Sequence, residues 1–357
     1  MSHRAGAKEL CLLHVAAEGE SGRRAVFVDH QAVNAHAQVT KGDNMAFKKI
    51  GIMSIGEMGF HWAKLLKGHG VEVLTYDKDR GEVSRRRAEN AGVKSLPSMT
   101  ALVREAELIV SIVVPFAAKR VAAKVAKAAL KADRKDLLYL DANAISPMTA
   151  DAIAKILIPA GVNFVDGCII GAASKMGKGT IVYVSGPDAA RLCDLESFNI
   201  PVKVLGPSTN QASAFKVVYA GLTKGLQGLF CELLMGARRF GLLNEIRAQY
   251  EESFPGLLAK VSSSIVGLRI HAGRRAEEMD ELKRTFNHHG MKSYMAPAVQ
   301  KVLEAIAELN VGQASDDGAR AGELMETLEF FYQKGLLRSA SKSVEPSSEA
   351  LVNAHNS

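Results

Sequence analysis

The chain has 357 residues, 47% of them hydrophobic and 23% charged, which is an ordinary balance for a soluble globular protein and enough length for about two domains. The net charge is +7, but the basic residues are scattered and not interleaved with aromatic residues, which argues against nucleic-acid binding. No apolar stretch reaches the roughly 20 residues that a membrane-spanning helix needs. Four cysteines lie far apart without metal-ligand spacing, which favours reduced thiols in a cytoplasmic protein.

The two ends of the chain are predicted to lie outside its folded domains. Residues 1–45 contain several acidic residues, which argues against a mitochondrial targeting sequence, and they show no signal-peptide pattern. Met45 stands just before the first predicted strand, so we expect this leader to be disordered or dispensable. Residues 336–357 form a polar tail without periodicity, which is typical of disorder.

The strongest motif begins at the first strand. An apolar run at Lys49 is followed by the turn Ser54-Ile55-Gly56-Glu57-Met58-Gly59, a helical stretch and a second strand that ends at Asp77. Such a turn lets a pyrophosphate approach the free amides of a helix, and an acidic residue for the ribose is expected roughly 20 residues later. Asp77 follows Gly56 by 21 residues. The pattern predicts a dinucleotide-binding βαβ unit, although Ser54 replaces the usual first glycine.

Further elements alternate in the way that predicts a doubly wound α/β sheet. Apolar runs near residues 108–114 and 137–140 are separated by a helical stretch, and three more runs follow up to Leu205. The short connections among the last runs favour an antiparallel pair. The sequence therefore predicts a Rossmann-type domain at residues 46–207. Helical periodicity from residue 208 onward predicts an all-α domain at 208–335.

Several segments together resemble the β-hydroxyacid dehydrogenase family, which includes 3-hydroxyisobutyrate and 6-phosphogluconate dehydrogenases. These segments are a strand that ends in Val114-Pro115, the stretch from Asp141 through Asn143 to Pro147, a glycine-rich loop with Gly171-Ala172, and Lys216 on a helix. The resemblance covers roughly residues 48–312. The later segment Arg275 to Met279 is similar to the branch whose helical C-terminal domain is phosphogluconate-dehydrogenase-like.

The resemblance implies an NAD(P)-dependent oxidoreductase that acts on a hydroxy or keto compound, with Lys216 as general acid and base. It implies cofactor contacts from the turn Ser54–Met58 and from Asp77, Val114, Pro115 and Asn143. Asn143, Gly171, Ala172, Tyr219 and Thr223 are candidate substrate contacts. Two positions depart from the family pattern, because the usual substrate-binding serine is Ile170 and the usual asparagine is Ala220. The substrate class stays open for that reason.

Cofactor choice depends on the end of the second strand. A carboxylate at Asp77 binds free ribose hydroxyls and repels a 2′-phosphate, which favours NAD, whereas the nearby Arg80 would suit NADP. His271, His288 and His289 have no carboxylate or cysteine partner at metal-ligand spacing, so we expect no metal.

Two alternatives to the dehydrogenase hypothesis stay open. An NADPH-dependent imine reductase has a similar architecture but usually carries aspartate or tyrosine where this chain has Lys216. A non-catalytic NAD(P)-binding sensor would bind the cofactor without turnover. The family resemblance also implies a small-molecule substrate and a homodimer formed through the helical domain.

Overall fold

The computed structural model describes residues 47–78, 80–309 and 323–338, and all of them belong to one compact unit. The predicted leader 1–45 and most of the predicted tail 336–357 lie outside the described residues.

One sheet organises the first half of the described chain. Its eight strands lie in the order β3-β2-β1-β4-β5-β6-β7-β8, and every neighbouring pair is parallel except β6 and β7. The strands are β1 (Lys49–Met53), β2 (Glu72–Thr75), β3 (Lys94–Ser95), β4 (Leu108–Ser111), β5 (Leu138–Asp141), β6 (Asn163–Ile170), β7 (Ile181–Ser185) and β8 (Val202–Gly206). The antiparallel β6–β7 pair matches the expectation from the short connections.

Five helices accompany this sheet, as expected for strands joined by right-handed crossovers. They are α1 (Glu57–Gly68), α2 (Glu82–Asn90), α3 (Met99–Glu105), α4 (Ala118–Ala132) and α5 (Pro147–Leu157). The central strands are buried on both faces, and alternate side chains enter two separate apolar clusters: Leu108 and Val110 lie in one, Ile109 in the other. This is the arrangement of a doubly wound sheet, so the predicted fold class is confirmed.

The second half of the described chain is helical. Its helices are α6 (Gln211–Arg239), α7 (Leu243–Ser253), α8 (Leu257–Val266), α9 (Leu268–His288), α10 (Met295–Glu308) and α11 (Glu323–Gln333). They share one apolar core, to which α6 contributes Phe230 and Leu234. Among the described helices, none is long and apolar enough to cross a membrane.

The long helix α6 lies against its neighbours at its glycines. A Cβ added at Gly221 would lie 2.6 Å from Leu282 of α9, and one at Gly228 would lie 2.9 Å from Val299 of α10. Glycine inside a helix costs roughly 1 kcal/mol relative to alanine, and here that cost is offset by close helix packing. The packing fixes α6 between the sheet and α9, where its first turns carry Lys216.

Candidate active site

The turn between β1 and α1 has the geometry that a dinucleotide needs. Ser54 adopts a left-handed backbone with φ of 77°, so it makes the sharp bend where such motifs usually have glycine. A Cβ added at Gly56 would meet nothing within 4 Å, which leaves the approach to the helix amides open. At Gly59 an added Cβ would lie only 2.5 Å from the Ser54 carbonyl oxygen, so glycine is needed there for helix and strand to pack. The turn therefore fits a pyrophosphate at the N-terminus of α1.

The loop after β4 lies beside this turn because β1 and β4 are neighbours. The chain moves outward from β1 to β2 and β3 and then returns to β4, so the turn stands at the topological switch point of the sheet. Val114 is 52% exposed and Pro115 is exposed as well, as suits residues that contact a ligand. The Asn143 side-chain oxygen accepts a hydrogen bond from the Val113 amide at 2.5 Å, which fixes the loop.

Basic residues surround the predicted adenosine end of the site. The Asp77 carboxylate accepts a hydrogen bond of 2.5 Å from the Ser95 hydroxyl. A cavity next to the end of β2 is lined by Met53, Tyr76, Arg80, Met99, Arg120, Val121 and Lys124. Three of these seven residues are cations, and Asp77 itself is not among the lining residues.

Polar side chains form a buried row across the carboxyl ends of the strands. Ser111, Asp141 and Asp166 occupy equivalent register positions on β4, β5 and β6, and none of them is exposed to solvent. The Asn143 side-chain nitrogen Nδ2 donates to the Ser111 hydroxyl at 3.1 Å and to the Asp141 carboxylate at 2.7 Å. Buried polar groups require such partners, and the second Asp141 oxygen has none in the structure.

Asp166 caps the long helix α6. Its carboxylate accepts hydrogen bonds from the Ser213 amide at 2.7 Å and from the Ser213 hydroxyl at 2.6 Å. Ser185 of β7 adds a second cap, since its hydroxyl accepts from the Ala212 amide at 2.9 Å. The first turn of α6 is therefore held by sheet side chains and not by its own N-cap residue, Asn210.

Both buried aspartates titrate far from their usual range. Burial raises the pKa of Asp141 to about 7 against the opposing hydrogen bonds from Asn143, and burial raises the pKa of Asp166 to about 7 against those from Ser213. Asp166 receives more donors and faces the positive end of a helix, which favours its charged form. The neighbouring Asp141 carboxylate also raises the pKa of Asp166 by repulsion between like charges.

Lys216 lies one turn beyond the cap and points back to the sheet. Its Nζ donates a hydrogen bond of 2.8 Å to the Ile169 carbonyl oxygen at the end of β6. Burial is the main cause that lowers the pKa of Lys216, and the cations Lys224 and Arg274 lower it further, while Cys168 and Glu278 oppose them. A desolvated lysine of this kind exchanges a proton more readily near neutral pH than a solvated one.

The other predicted substrate contacts differ in their exposure to solvent and in the hydrogen bonds that they already make. Gly171 needs its φ of 134°, and both it and Ala172 are exposed at the end of β6. Tyr219 is 45% exposed and stacks on Phe215, whereas the Thr223 hydroxyl donates to the Ala220 carbonyl oxygen of its own helix. Asn143 is only 3% exposed, and its side chain is hydrogen-bonded to Ser111, to the Val113 amide and to Asp141. Contacts from these residues to a ligand stay predictions.

Sequence patterns did not single out three residues of this site. Asp166, Ser185 and Ser213 belong to no motif that indicates a helix cap. Their role depends on contacts across 47 residues of chain between Asp166 and Ser213, which periodicity cannot reveal. An aspartate in an otherwise apolar strand is the one signal that could have indicated a buried partner.

The fold and the turn after β1 are those of a dinucleotide-binding protein. Residues 49–197 match the family described as the NAD binding domain of 6-phosphogluconate dehydrogenase, and residues 237–306 match a domain of unknown function, DUF1932. An uncharacterized 28.5 kDa protein in the 7S RNA 5′ region of Methanothermus fervidus is 31% identical over 261 residues, which are 73% of this chain and 99% of that protein. The chain belongs to the β-hydroxyacid dehydrogenase-like family, as predicted.

Solved structures show the same architecture. A conserved protein of unknown function with structural similarity to 3-hydroxyacid dehydrogenases is 26% identical, with a TM-score of 0.63 over 73% of this chain and 97% of that one. The 3-hydroxyisobutyrate dehydrogenase of Mycobacterium tuberculosis is 17% identical, with a TM-score of 0.62 over 73% and 94% of the two chains. At that identity the second likeness shows the fold alone.

Alanine substitutions at the two glycines of the β1–α1 turn should differ in their effects on stability and on cofactor affinity. Gly59→Ala forces a Cβ against backbone and should destabilise the fold by about 1–3 kcal/mol. Gly56→Ala has open space, so stability should stay near that of the unsubstituted protein while NAD(P)H affinity falls. Thermal unfolding and calorimetric titration separate the two effects. Unchanged cofactor affinity in Gly56→Ala would contradict a pyrophosphate at this turn.

The raised pKa of the buried Asp141 predicts that the free energy of unfolding depends on pH. Because the pKa of Asp141 in the folded state is raised to about 7, above its unfolded value, the native state binds more protons between about pH 4 and 7. Stability therefore falls as pH rises through this window, by at most about 1.4 kcal/mol per pH unit for one group. Asp141→Asn should flatten this slope in urea titrations. Asp133→Asn, which removes an exposed aspartate outside the network, serves as the control.

Proposed function

We propose that the protein is an NAD(P)-dependent oxidoreductase that transfers hydride between the nicotinamide and a hydroxy or keto compound, with Lys216 as the general acid and base. The observation that carries the proposal is the Lys216 Nζ, half-buried and hydrogen-bonded at 2.8 Å to Ile169 at the carboxyl edge of the sheet. The same edge carries the dinucleotide turn and the Val114-Pro115 loop.

The protein must supply a group that takes the proton from the substrate hydroxyl or returns it. The cofactor supplies the hydride acceptor or donor, and a protein base must take the hydroxyl proton when an alcohol is oxidised, or return it in the reverse direction. Neutral Lys216 can accept that proton at Nζ. Its lowered pKa raises the neutral fraction at working pH, and the Ile169 carbonyl orients the amine without neutralising the ammonium form.

Removal of the amine tests this role. Lys216→Ala should lower turnover by about 10²- to 10⁴-fold, the range of general acid–base catalysis, with little change in cofactor affinity. In the oxidation direction the unsubstituted enzyme should gain activity with rising pH and level off below the ordinary lysine pKa of 10.5, because burial lowers the pKa of Lys216.

Lys178→Ala is the matched control, since Lys178 is an exposed lysine in the loop before β7. Equal activity of Lys216→Ala and Lys178→Ala would refute the proposed base. A protein that binds the cofactor but turns over no hydroxy acid, ketone, aldehyde or imine would instead fit the sensor alternative. Faster reduction of cyclic imines than of ketones would fit the imine reductase alternative.

For the cofactor, we infer a preference for NADP(H), which departs from the preference for NAD that the sequence favours at Asp77. Asp77 favours NAD, but its carboxylate already accepts a hydrogen bond from the Ser95 hydroxyl. The adjoining cavity is lined by Arg80, Arg120 and Lys124. Three cations suit a 2′-phosphate better than a free hydroxyl.

Paired titrations with NADPH and NADH test this preference. Arg120→Gln should weaken NADPH binding by roughly tenfold or more and leave NADH nearly unchanged, because a charged hydrogen bond to phosphate is worth about 1.5–3 kcal/mol. Arg104→Gln, on α3 and outside the cavity, is a suitable control. Equal losses for both cofactors in Arg120→Gln would argue against a 2′-phosphate site.

We also propose a homodimer that forms through α6, in a protein that works in the cytoplasm. One face of this helix presents a stripe of exposed apolar side chains at four- and seven-residue steps. The stripe consists of Val218, Leu222, Leu229, Leu233 and, just past the helix end, Phe240. Gly225 and Gly236 lie within it, and a Cβ at either would meet nothing within 4 Å, so a second helix has room to approach. A contiguous exposed apolar stripe of this length is typical of a protein interface.

Charged substitutions in the stripe test the dimer. The double variant Leu222→Glu and Leu229→Glu should shift the mass measured by light scattering from two chains to one. Leu130→Glu, at an equally exposed leucine of α4, should leave it unchanged. A monomeric mass for the unsubstituted protein would end the proposal.

A further inference from the structure

Helix α4 presents a line of cations to solvent. Its sequence contains five lysine and arginine residues and no acidic residue. Four of them, Arg120, Lys124, Lys127 and Lys131, follow one another at steps of four, three and four residues, and all four are exposed. Because a helix repeats every 3.6 residues, these steps keep the four side chains within about 60° around the helix axis, along roughly 16 Å of its length. We call these four residues the cation line.

The helices on either side of α4 do not neutralise the cation line. Helix α4 packs between α3 and α5, which carry one acidic residue each, Glu105 and Asp151. Glu105 is paired with Lys49 at 3.4 Å, and Asp151 accepts hydrogen bonds from two residues that precede α6. Among the residues that the structure describes, neither Lys127 nor Lys131 takes part in an ion pair. Like charges at these spacings repel each other, so an anion along the line would stabilise it.

Beyond the C-terminal end of α4 the charges are balanced. The Asp133 carboxylate is 3.5 Å from the Lys135 ammonium, and Asp136 is paired with Arg134. The excess of positive charge is therefore concentrated on α4 itself and runs in one direction along the helix.

An exposed aromatic ring stands at the N-terminal end of the cation line. Phe116 lies in the short 3-10 turn Pro115–Ala117 that leads into α4, four residues before Arg120. Its side chain is 84% exposed, the highest value among the large apolar side chains of the described residues. Proteins that bind single-stranded nucleic acids combine cations along the phosphates with aromatic rings on which bases stack.

The packing of α4 disfavours an anionic membrane as the partner. A helix that lies in a membrane surface inserts its apolar face among the lipids. The apolar face of α4 is already buried in the sheet domain, where Val121, Ala122 and Val125 are at most 5% exposed. Leu130 is the one large apolar side chain that α4 exposes, which is too little to anchor the helix. The available side of α4 suits a hydrophilic polyanion.

We propose that Phe116 and the cation line bind single-stranded nucleic acid, with phosphates along the four cations and a base stacked on the Phe116 ring. The sequence-based expectation was no nucleic-acid binding, because the basic residues are scattered along the chain, but the helix aligns them. Arg120 and Lys124 also line the cavity next to the end of β2, whereas Lys127 and Lys131 lie outside it. The inference therefore does not depend on the proposed oxidoreductase activity.

The salt dependence of binding tests the inference. The full-length protein is titrated into a fluorescent oligothymidylate of about 12 nucleotides, and anisotropy is recorded at several salt concentrations. Each phosphate contact of a single strand contributes about −0.7 to the slope of log affinity against log salt concentration, so four contacts predict a slope of about −3. The double variant Lys127→Gln and Lys131→Gln should reduce the slope to about −1.4 and weaken binding by roughly tenfold or more at low salt.

Two controls separate this contact from general charge and from misfolding. The double variant Lys260→Gln and Lys301→Gln removes the same charge from exposed positions of α8 and α10 and should leave the slope unchanged. The α4 double variant should keep the melting temperature and the NADPH affinity of the unsubstituted protein, since both of its positions lie outside the cavity.

The base contact is tested separately from the phosphate contacts. Phe116→Ala should weaken binding of the oligothymidylate by about five- to hundredfold, and a strand of the same length without bases should bind more weakly by a similar factor. Equal slopes for the two double variants, or no binding at low salt, would overturn the inference. Equal affinity for the strand without bases, or tighter binding of a duplex or of phosphatidylserine vesicles, would also overturn it.

Discussion

The capping of α6 by Asp166 is the interaction on which the site geometry depends. A helix of 29 residues begins with amides that have no partner in the helix, and the structure provides partners from two strands of the sheet. The same strand that supplies Asp166 supplies the Ile169 carbonyl oxygen that receives the Lys216 amine. Two contacts on one strand therefore fix both the start of the helix and the orientation of the Lys216 side chain.

The buried polar row connects that cap to the cofactor turn. Asn143 bonds the Val113 amide on one side and Asp141 on the other, and Asp141 lies in register with Asp166. Burial of two neighbouring carboxylates is costly, and apolar residues of similar size would suit stability better. The row therefore serves to hold the loop after β4 and the start of α6 in one fixed arrangement. We interpret the row as an arrangement that fixes the geometry of the candidate site and lowers the free energy of unfolding.

Local patterns were sufficient to predict the fold and to indicate half of the candidate site. The βαβ unit, the Val114-Pro115 loop and Lys216 all follow from short motifs whose residues act near their place in the chain. The cap could not be predicted in this way, because it joins elements that are distant in sequence and uses residue types that are common on surfaces. Ser54 shows a further limit, since its left-handed backbone performs the role of a glycine without the residue that signals it.

The chain carries a single tryptophan, Trp62, which is buried in α1 just behind the dinucleotide turn. Titration with NADPH while tryptophan emission is recorded tests the central claim most directly, because energy transfer to the nicotinamide requires the cofactor to bind nearby. The account predicts saturable quenching of Trp62 with matching nicotinamide emission, and loss of both when Gly56 is replaced by alanine. No quenching with either NADPH or NADH would contradict it, since the position of Lys216 has catalytic meaning only beside a bound nicotinamide.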